Sequence, residues 1–134
     1  MTLTITIQSF SYKKGIPTDD SGNGGGFVFD CRGILNPGRI EHCKTQSGLD
    51  QDVILFLEEQ TKMPAFLKNV YALVDMTVDN YLERGFKHLQ VNFGCTGGHH
   101  RSVYAATQLT AYLHNRYPKV VIHLEHTNAQ NWVR

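Results

Sequence analysis

Three features of the sequence predict an α/β domain built on a mostly parallel four-stranded sheet with flanking helices. First, four short runs read as strands: Leu3–Ile7, Phe27–Phe29, His88–Phe93 and Val120–Leu124. Second, helical segments separate the second strand from the third and the third from the fourth, and strands joined through helices pair in parallel. Third, the chain has 134 residues, whereas chains divide into domains only beyond roughly 250 residues. We therefore read 1–134 as a single domain.

Each element has a local reason. Leu3–Ile7 alternates apolar side chains with threonine, the period of a half-buried strand. The polar stretch Lys13–Gly26 contains Pro17 and four glycines within residues 22–26, a composition that favours a mobile loop. Phe27-Val28-Phe29 is the second strand, and Asn36-Pro37-Gly38 marks a turn in the irregular stretch Gly33–Gly48. Asp50 is placed to cap a helix over Val53–Glu59, and Pro64 suits the first turn of a longer one. In that helix Phe66, Val70, Val74, Val78, Tyr81 and Leu82 form one expected buried stripe, and Gly85 a stop. Ser102–Arg116 reads as the third helix, with Leu109 and Leu113 on one face, and Val120–Leu124 as a buried final strand.

Composition bounds the function. Lys plus Arg (13) against Asp plus Glu (12) gives +1 with neutral histidines, which excludes nucleic-acid binding driven by net charge alone. No apolar run approaches the roughly 18 residues of a membrane span, and MTLTITIQSF lacks a basic segment with a cleavage site. The three cysteines, Cys31, Cys43 and Cys95, form no C-x-x-C pair and suit reduced thiols in the cytoplasm. No Walker A loop occurs, and no cofactor is expected.

In a parallel sheet the polar segments after the four strands gather at one carboxyl edge, where open α/β sheets bind ligands. The third of these is Gly94-Cys95-Thr96-Gly97-Gly98-His99-His100-Arg101-Ser102. A glycine-rich turn between strand and helix can point consecutive N–H groups into one concavity. The helix end adds about half a positive charge, and Arg101 adds a full one with a bidentate fork. Together these make an anion site, most naturally for phosphate. The spacing Cys95-x5-Arg101-Ser102 also fits the C-x5-R-S/T signature of cysteine-dependent phosphatases, in which Cys95 would be the nucleophile and Arg101 would hold phosphate. That reaction needs a general acid, for which Asp19, Asp20 and Asp50 are available without any being singled out.

The same segment, GCTGGHHRSVY, resembles the GCTGG-x-HRSV motif of the C-terminal domain of the RNase adapter RapZ family. Three further segments match that family in order: SFSYKKGIP (Ser9–Pro17), FVFDCRGILNP (Phe27–Pro37) and TQSGLD (Thr45–Asp50). The resemblance covers nearly the whole chain. It implies a phosphofructokinase-subdomain-like fold that senses an amino-sugar phosphate, glucosamine-6-phosphate, and in some members binds small RNAs. It also implies a protein partner or fused domain, because the family's N-terminal P-loop half has no counterpart here, and ATP binding is not carried over. Two departures stand out. The loop Asp19–Gly26 is longer than the usual family segment. The RNA-binding members end in a basic run, whereas this sequence ends HTNAQNWVR, which argues against RNA.

The expected function is thus binding of a phosphorylated metabolite, a hexosamine phosphate, for regulation. Cysteine-dependent hydrolysis and RNA adaptation are the alternatives, and self-association as a homo-oligomer stays open. The amides of Thr96, Gly97, Gly98, His99 and His100 would hold phosphate, Arg101 and Ser102 would complete its shell, and Cys95 would form the floor. Asp30 and Arg32, which sit in the matched VFDCR motif, are expected to meet the sugar or a second polar group. Ser9 and Lys13 are further contact candidates, with Tyr12 and Lys14 beside them. His123 and His126 point to opposite faces of a strand, and no HExxH or Cys2His2 spacing exists, so no metal is expected. Trp132 is read as packing the tail down or marking a partner contact.

Overall fold

The computed structural model describes residues 2–132. Strands β1 (Thr4–Ser11), β2 (Gly26–Asp30), β3 (His88–Cys95) and β4 (Val121–His126) form one sheet in the order β2-β3-β1-β4. Every pairing is parallel. Three helices accompany it: α1 (Gln51–Gln60), α2 (Met63–Arg84) and α3 (Arg101–Arg116). The expected α/β architecture with a parallel four-stranded sheet is therefore present.

Alternation along the strands sorts the two faces. Ile5 and Ile7 of β1 align with Leu89 and Val91 of β3, and Phe29 of β2 aligns with Phe93. These residues, apart from half-buried Phe29, are buried and share one core with Val70, Val74, Leu109 and Leu113 from the helices. The opposite face carries Thr6, Gln8, Gln90 and Asn92. Crossover handedness explains why only one face meets helices. The connections β2→β3 and β3→β4 step across the sheet in the same direction, so right-handed crossovers place both on one side. The connection β1→β2 steps the other way and must run over the polar face. It does: Gln90 donates to the Thr18 carbonyl at 3.4 Å.

Several expected details shift. Asp50 occupies the N-cap position of α1, but its carboxylate accepts from Ser47 N–H at 2.7 Å, closing the preceding turn and not the helix. Gly85 ends α2 with φ 72° as expected. The stripe on α2 is Met63, Leu67, Val70, Val74 and Val78, and Leu82 is 45% exposed. Repeated four-residue steps turn about 40° further each time, so the run from Phe66 rotates out of the core by Leu82. The last strand is not buried. β4 pairs only with β1, and Val121 and Leu124 are 41% and 37% exposed, because an edge strand has a neighbour on one side only. The glycine-rich loop is organised around one carboxylate: Asp19 accepts from Ser21 N–H at 2.9 Å and from Gly25 N–H at 2.8 Å.

Between α2 and α3, Asp75 accepts hydrogen bonds from the hydroxyls of Tyr112 and Tyr117 and pairs with Arg116 at 3.2 Å. Removing the carboxylate leaves the Tyr112 hydroxyl without its partner at the helix contact, while Tyr117 keeps Asp79 at 2.8 Å and Arg116 is half exposed to water. Asp75→Ala is expected to lower unfolding free energy by about 2 kcal/mol, read as a lower urea midpoint with an unchanged slope.

Candidate functional site

The turn from β3 into α3 is built so that its carbonyls are engaged from outside. Cys95 C=O accepts from Tyr12 N–H at 3.0 Å, and Thr96 C=O from the Ser11 hydroxyl at 2.7 Å. Gly97 C=O accepts from the Asn128 side-chain amide at 2.8 Å, and Gly98 C=O from the Trp132 indole at 2.9 Å. His99 C=O accepts from Gly48 N–H at 2.9 Å, and His100 C=O from Tyr104 N–H at 3.0 Å. In a planar trans peptide the next residue's N–H points opposite the carbonyl. Five consecutive carbonyls, from Cys95 to His99, are held by donors from other segments, and the sixth takes the first hydrogen bond of α3; the amides of Thr96 to His100 have no carbonyl partner among the described residues. His100, the N-cap of α3, supplies no side-chain cap, so the helix end adds further unpaired N–H groups. Gly98 has φ +59°, and a Cβ there would lie 2.8 Å from Ser11 N, which restricts this corner of the turn to glycine.

Arg101 opens α3 and is only 5% exposed. One terminal nitrogen donates to the carbonyls of Arg32 (3.1 Å) and Ile34 (2.8 Å), while Nε is buried without a partner. Among the described residues no carboxylate lies within ion-pair distance of this guanidinium. A buried cation with a spare donor and no counter-charge is the complement of an anion. Cys95 is buried, with Sγ 3.1 Å from the Ser102 hydroxyl. His100 Nε2 lies 3.0 Å from the Cys43 carbonyl, which can only accept, so this nitrogen carries its proton. Burial pushes the His100 imidazole below its usual range, and burial with the neighbouring His100 lowers His99 to about 4. Both rings are neutral at pH 7, leaving Arg101, the helix end and Lys13 to supply positive charge.

These groups converge on a pocket of about 350 Å³ whose lining includes Lys13, Asn36, Gly38, Cys95, Arg101 and Trp132, with Thr96, Gly97, His99, His100 and Asn131. It sits at the carboxyl ends of β1 and β3. Those neighbouring strands send their connections over opposite faces of the sheet, which is the switch point where open α/β sheets bind ligands.

Of the expected site residues, the structure brings Lys13, Cys95, Thr96, Gly97, His99, His100 and Arg101 to one pocket. Gly98 shapes its turn, and Ser102 lies behind Cys95. Asp30 and Arg32 are not in the lining. They form a bidentate pair with each other (Nε–Oδ1 2.9 Å, a terminal nitrogen to Oδ2 2.8 Å), and the Arg32 guanidinium lies 3.8 Å from the Tyr12 ring centroid. The Arg32 hydrogen bond holds the Asp30 carboxyl below its ordinary range. Ser9 faces the helix side, fully buried, with its hydroxyl 2.6 Å from His126 Nδ1. Lys14 lines an adjacent depression with Thr127 and Asn128. Sequence reading missed Asn36, Gly38, Asn131 and Trp132 as lining residues. The first two stand in the Asn-Pro-Gly turn at the same edge and were open to that inference, whereas nothing local marks the other two. Among the described residues no helix is long and apolar enough to cross a membrane.

Comparison with known proteins follows the same residues. Residues 3–130 match the family model described as the RapZ C-terminal domain. A nucleotide-binding protein of Dinoroseobacter shibae is 40% identical over 111 residues, 83% of this chain and 35% of the relative. One from Endomicrobium trichonymphae is 34% identical over 130 residues, 94% of this chain and 44% of the relative. One from Fusobacterium nucleatum is 38% identical over 113 residues, 84% of this chain and 37% of the relative. The matched part is thus less than half the length of each of these curated relatives.

Proposed function

The chain belongs to the RapZ C-terminal domain family, and from that premise we propose that it is a regulatory module that binds a phosphorylated metabolite, a hexosamine phosphate, at the carboxyl edge of β3. The observation that carries this reading is the turn 95–100: the carbonyls of Cys95 to His99 are held by other segments, and buried Arg101, with Nε unpartnered among the described residues, stands beside the turn's free amides. Phosphate oxygens accept from such donors, and the helix end favours their charge. Lys13 at the rim adds attraction on approach.

Hydrolysis is the competing reading, and the C-x5-R-S spacing with the 3.1 Å contact from Cys95 Sγ to Ser102 favours it. The pocket lining weighs against it. It contains no aspartate or glutamate to protonate a leaving oxygen, and Asp19 and Asp50 are engaged by backbone N–H groups elsewhere. The relatives' shared name, nucleotide-binding protein, is compatible with the same cradle, because a nucleotide also presents a phosphate ester.

Phosphorus NMR of the purified chain with glucosamine-6-phosphate, followed for hours, separates these readings. Binding predicts a shifted or broadened ester resonance without inorganic phosphate, reversed by excess inorganic phosphate. Growth of an inorganic phosphate peak that vanishes in Cys95→Ser would replace the sensor by a phosphatase. Displacement of the sugar by equimolar adenosine monophosphate would move the ligand class to nucleotides. An unchanged spectrum would remove this sugar.

A further inference from the structure

Residues Thr127–Trp132, which follow β4, are fastened across the anion loop. Thr127 donates its N–H (3.0 Å) and its hydroxyl (2.8 Å) to the Ser9 carbonyl, anchoring the segment beside β1. Asn128 is buried, and its side-chain amide reaches Gly97 C=O. The Asn131 amide donates to Asn128 Oδ1 at 2.7 Å, which leaves Asn128 Nδ2 facing the loop. The Trp132 indole donates to Gly98 C=O, with its ring 5.5 Å from His99 and 5.8 Å from His126 between centroids.

The position of these bonds gives them a role beyond packing. A carbonyl and the N–H of the following residue belong to one rigid peptide plane. Holding Gly97 C=O therefore aims Gly98 N–H, and holding Gly98 C=O aims His99 N–H. A donor on the carbonyl also polarises that peptide, making its N–H a better donor. We propose that Asn128 and Trp132 are positioning residues of the anion site, and that docking of the segment 127–132 is thermodynamically coupled to occupancy of the pocket. This rests on the anion-binding reading above and names its regulation. Linkage makes the coupling reciprocal: whatever releases the segment weakens anion binding by the same factor with which the anion strengthens docking.

The test uses the full 134-residue chain titrated with inorganic phosphate and followed by amide NMR. Trp132→Phe keeps the ring and loses the donor, while Asn128→Ala loses the side-chain amide. Each is expected to weaken phosphate binding by about five- to tenfold, the worth of one hydrogen bond. Before phosphate is added, the His99 amide resonance is expected to move in Trp132→Phe and the Gly98 resonance in Asn128→Ala, a signature that general destabilisation does not produce. Phosphate is expected to slow hydrogen exchange across 127–132 in the unaltered chain. Phosphate binding by the unaltered chain, together with variants that bind within twofold and leave the two amides unmoved, overturns the coupling alone. Failure of the unaltered chain to bind phosphate overturns the anion reading and the coupling with it.

Discussion

Arg101→Ala is expected to reduce affinity for phosphate or a phosphate ester by about a hundredfold, since two charge-assisted hydrogen bonds are worth roughly 3 kcal/mol together. The loss has two physically separate parts. The guanidinium brings the full positive charge buried against the turn, and its Nε is a donor with no partner among the described residues. It also ties down the segment after β2 through the carbonyls of Arg32 and Ile34. Arg101→Lys divides the two, because an ammonium restores charge but cannot fork between loop carbonyls and an anion. Recovery of less than tenfold by lysine is the expected result. Because a counter-charge compensates the buried cation, phosphate is also expected to raise the melting temperature of the unaltered chain, and to do so far less in Arg101→Ala. Calorimetric titration and thermal melts check both statements. Retention of affinity within threefold in Arg101→Ala would remove the pocket from consideration as an anion site.

Much of the candidate site was legible because the residues proposed for it are concentrated in nine consecutive positions. Gly94 to Ser102 lie between a strand and a helix that periodicity identifies, so the helix start, the glycine turn and the arginine can be placed without coordinates. The parallel sheet was legible for a similar reason, since the helices between strands leave few other ways to pair them. What escaped was the part set by tertiary register. Asn128 and Trp132 reach the loop because β4 lies beside β1 with His126 opposite Ser9, an alignment that no local pattern encodes. The same register consumes Ser9, whose hydroxyl meets His126 on the helix side. Asp30 and Arg32 suited a polar ligand by residue type, yet a two-residue separation at a strand end lets each satisfy the other first. Burial of β4 was misread because an apolar run does not reveal whether a strand is central or at an edge.

Gly48→Ala is expected to destabilise the chain by about 3 kcal/mol, the scale of a forced overpacking that the surroundings cannot relieve. A Cβ at this position would stand 2.3 Å from the His100 carbonyl oxygen and 2.6 Å from Tyr104 N. Both are backbone atoms of the first turn of α3, so no side-chain rotation makes room. Gly48 also donates its N–H to His99 C=O. The stretch before α1 therefore rests directly on the peptide units that aim the amide cradle, and separating the two surfaces costs binding as well as stability. At this chain length each kcal/mol corresponds to about 3–5 °C in melting temperature, so a fall of about 10 °C is expected, with phosphate affinity reduced alongside. Gly33→Ala is the control: nothing lies within 4 Å of its added Cβ, and its effect is expected to stay within about 0.5 kcal/mol. Hydrogen exchange locates the damage. Protection is expected to fall first in residues 99–104 and not in β1 or β3, because the clash bears on the start of α3 while the centre of the sheet is untouched. A melting temperature for Gly48→Ala within 2 °C of the unaltered chain would mean that the contact between this loop and α3 yields easily, and that the cradle is not held from this side.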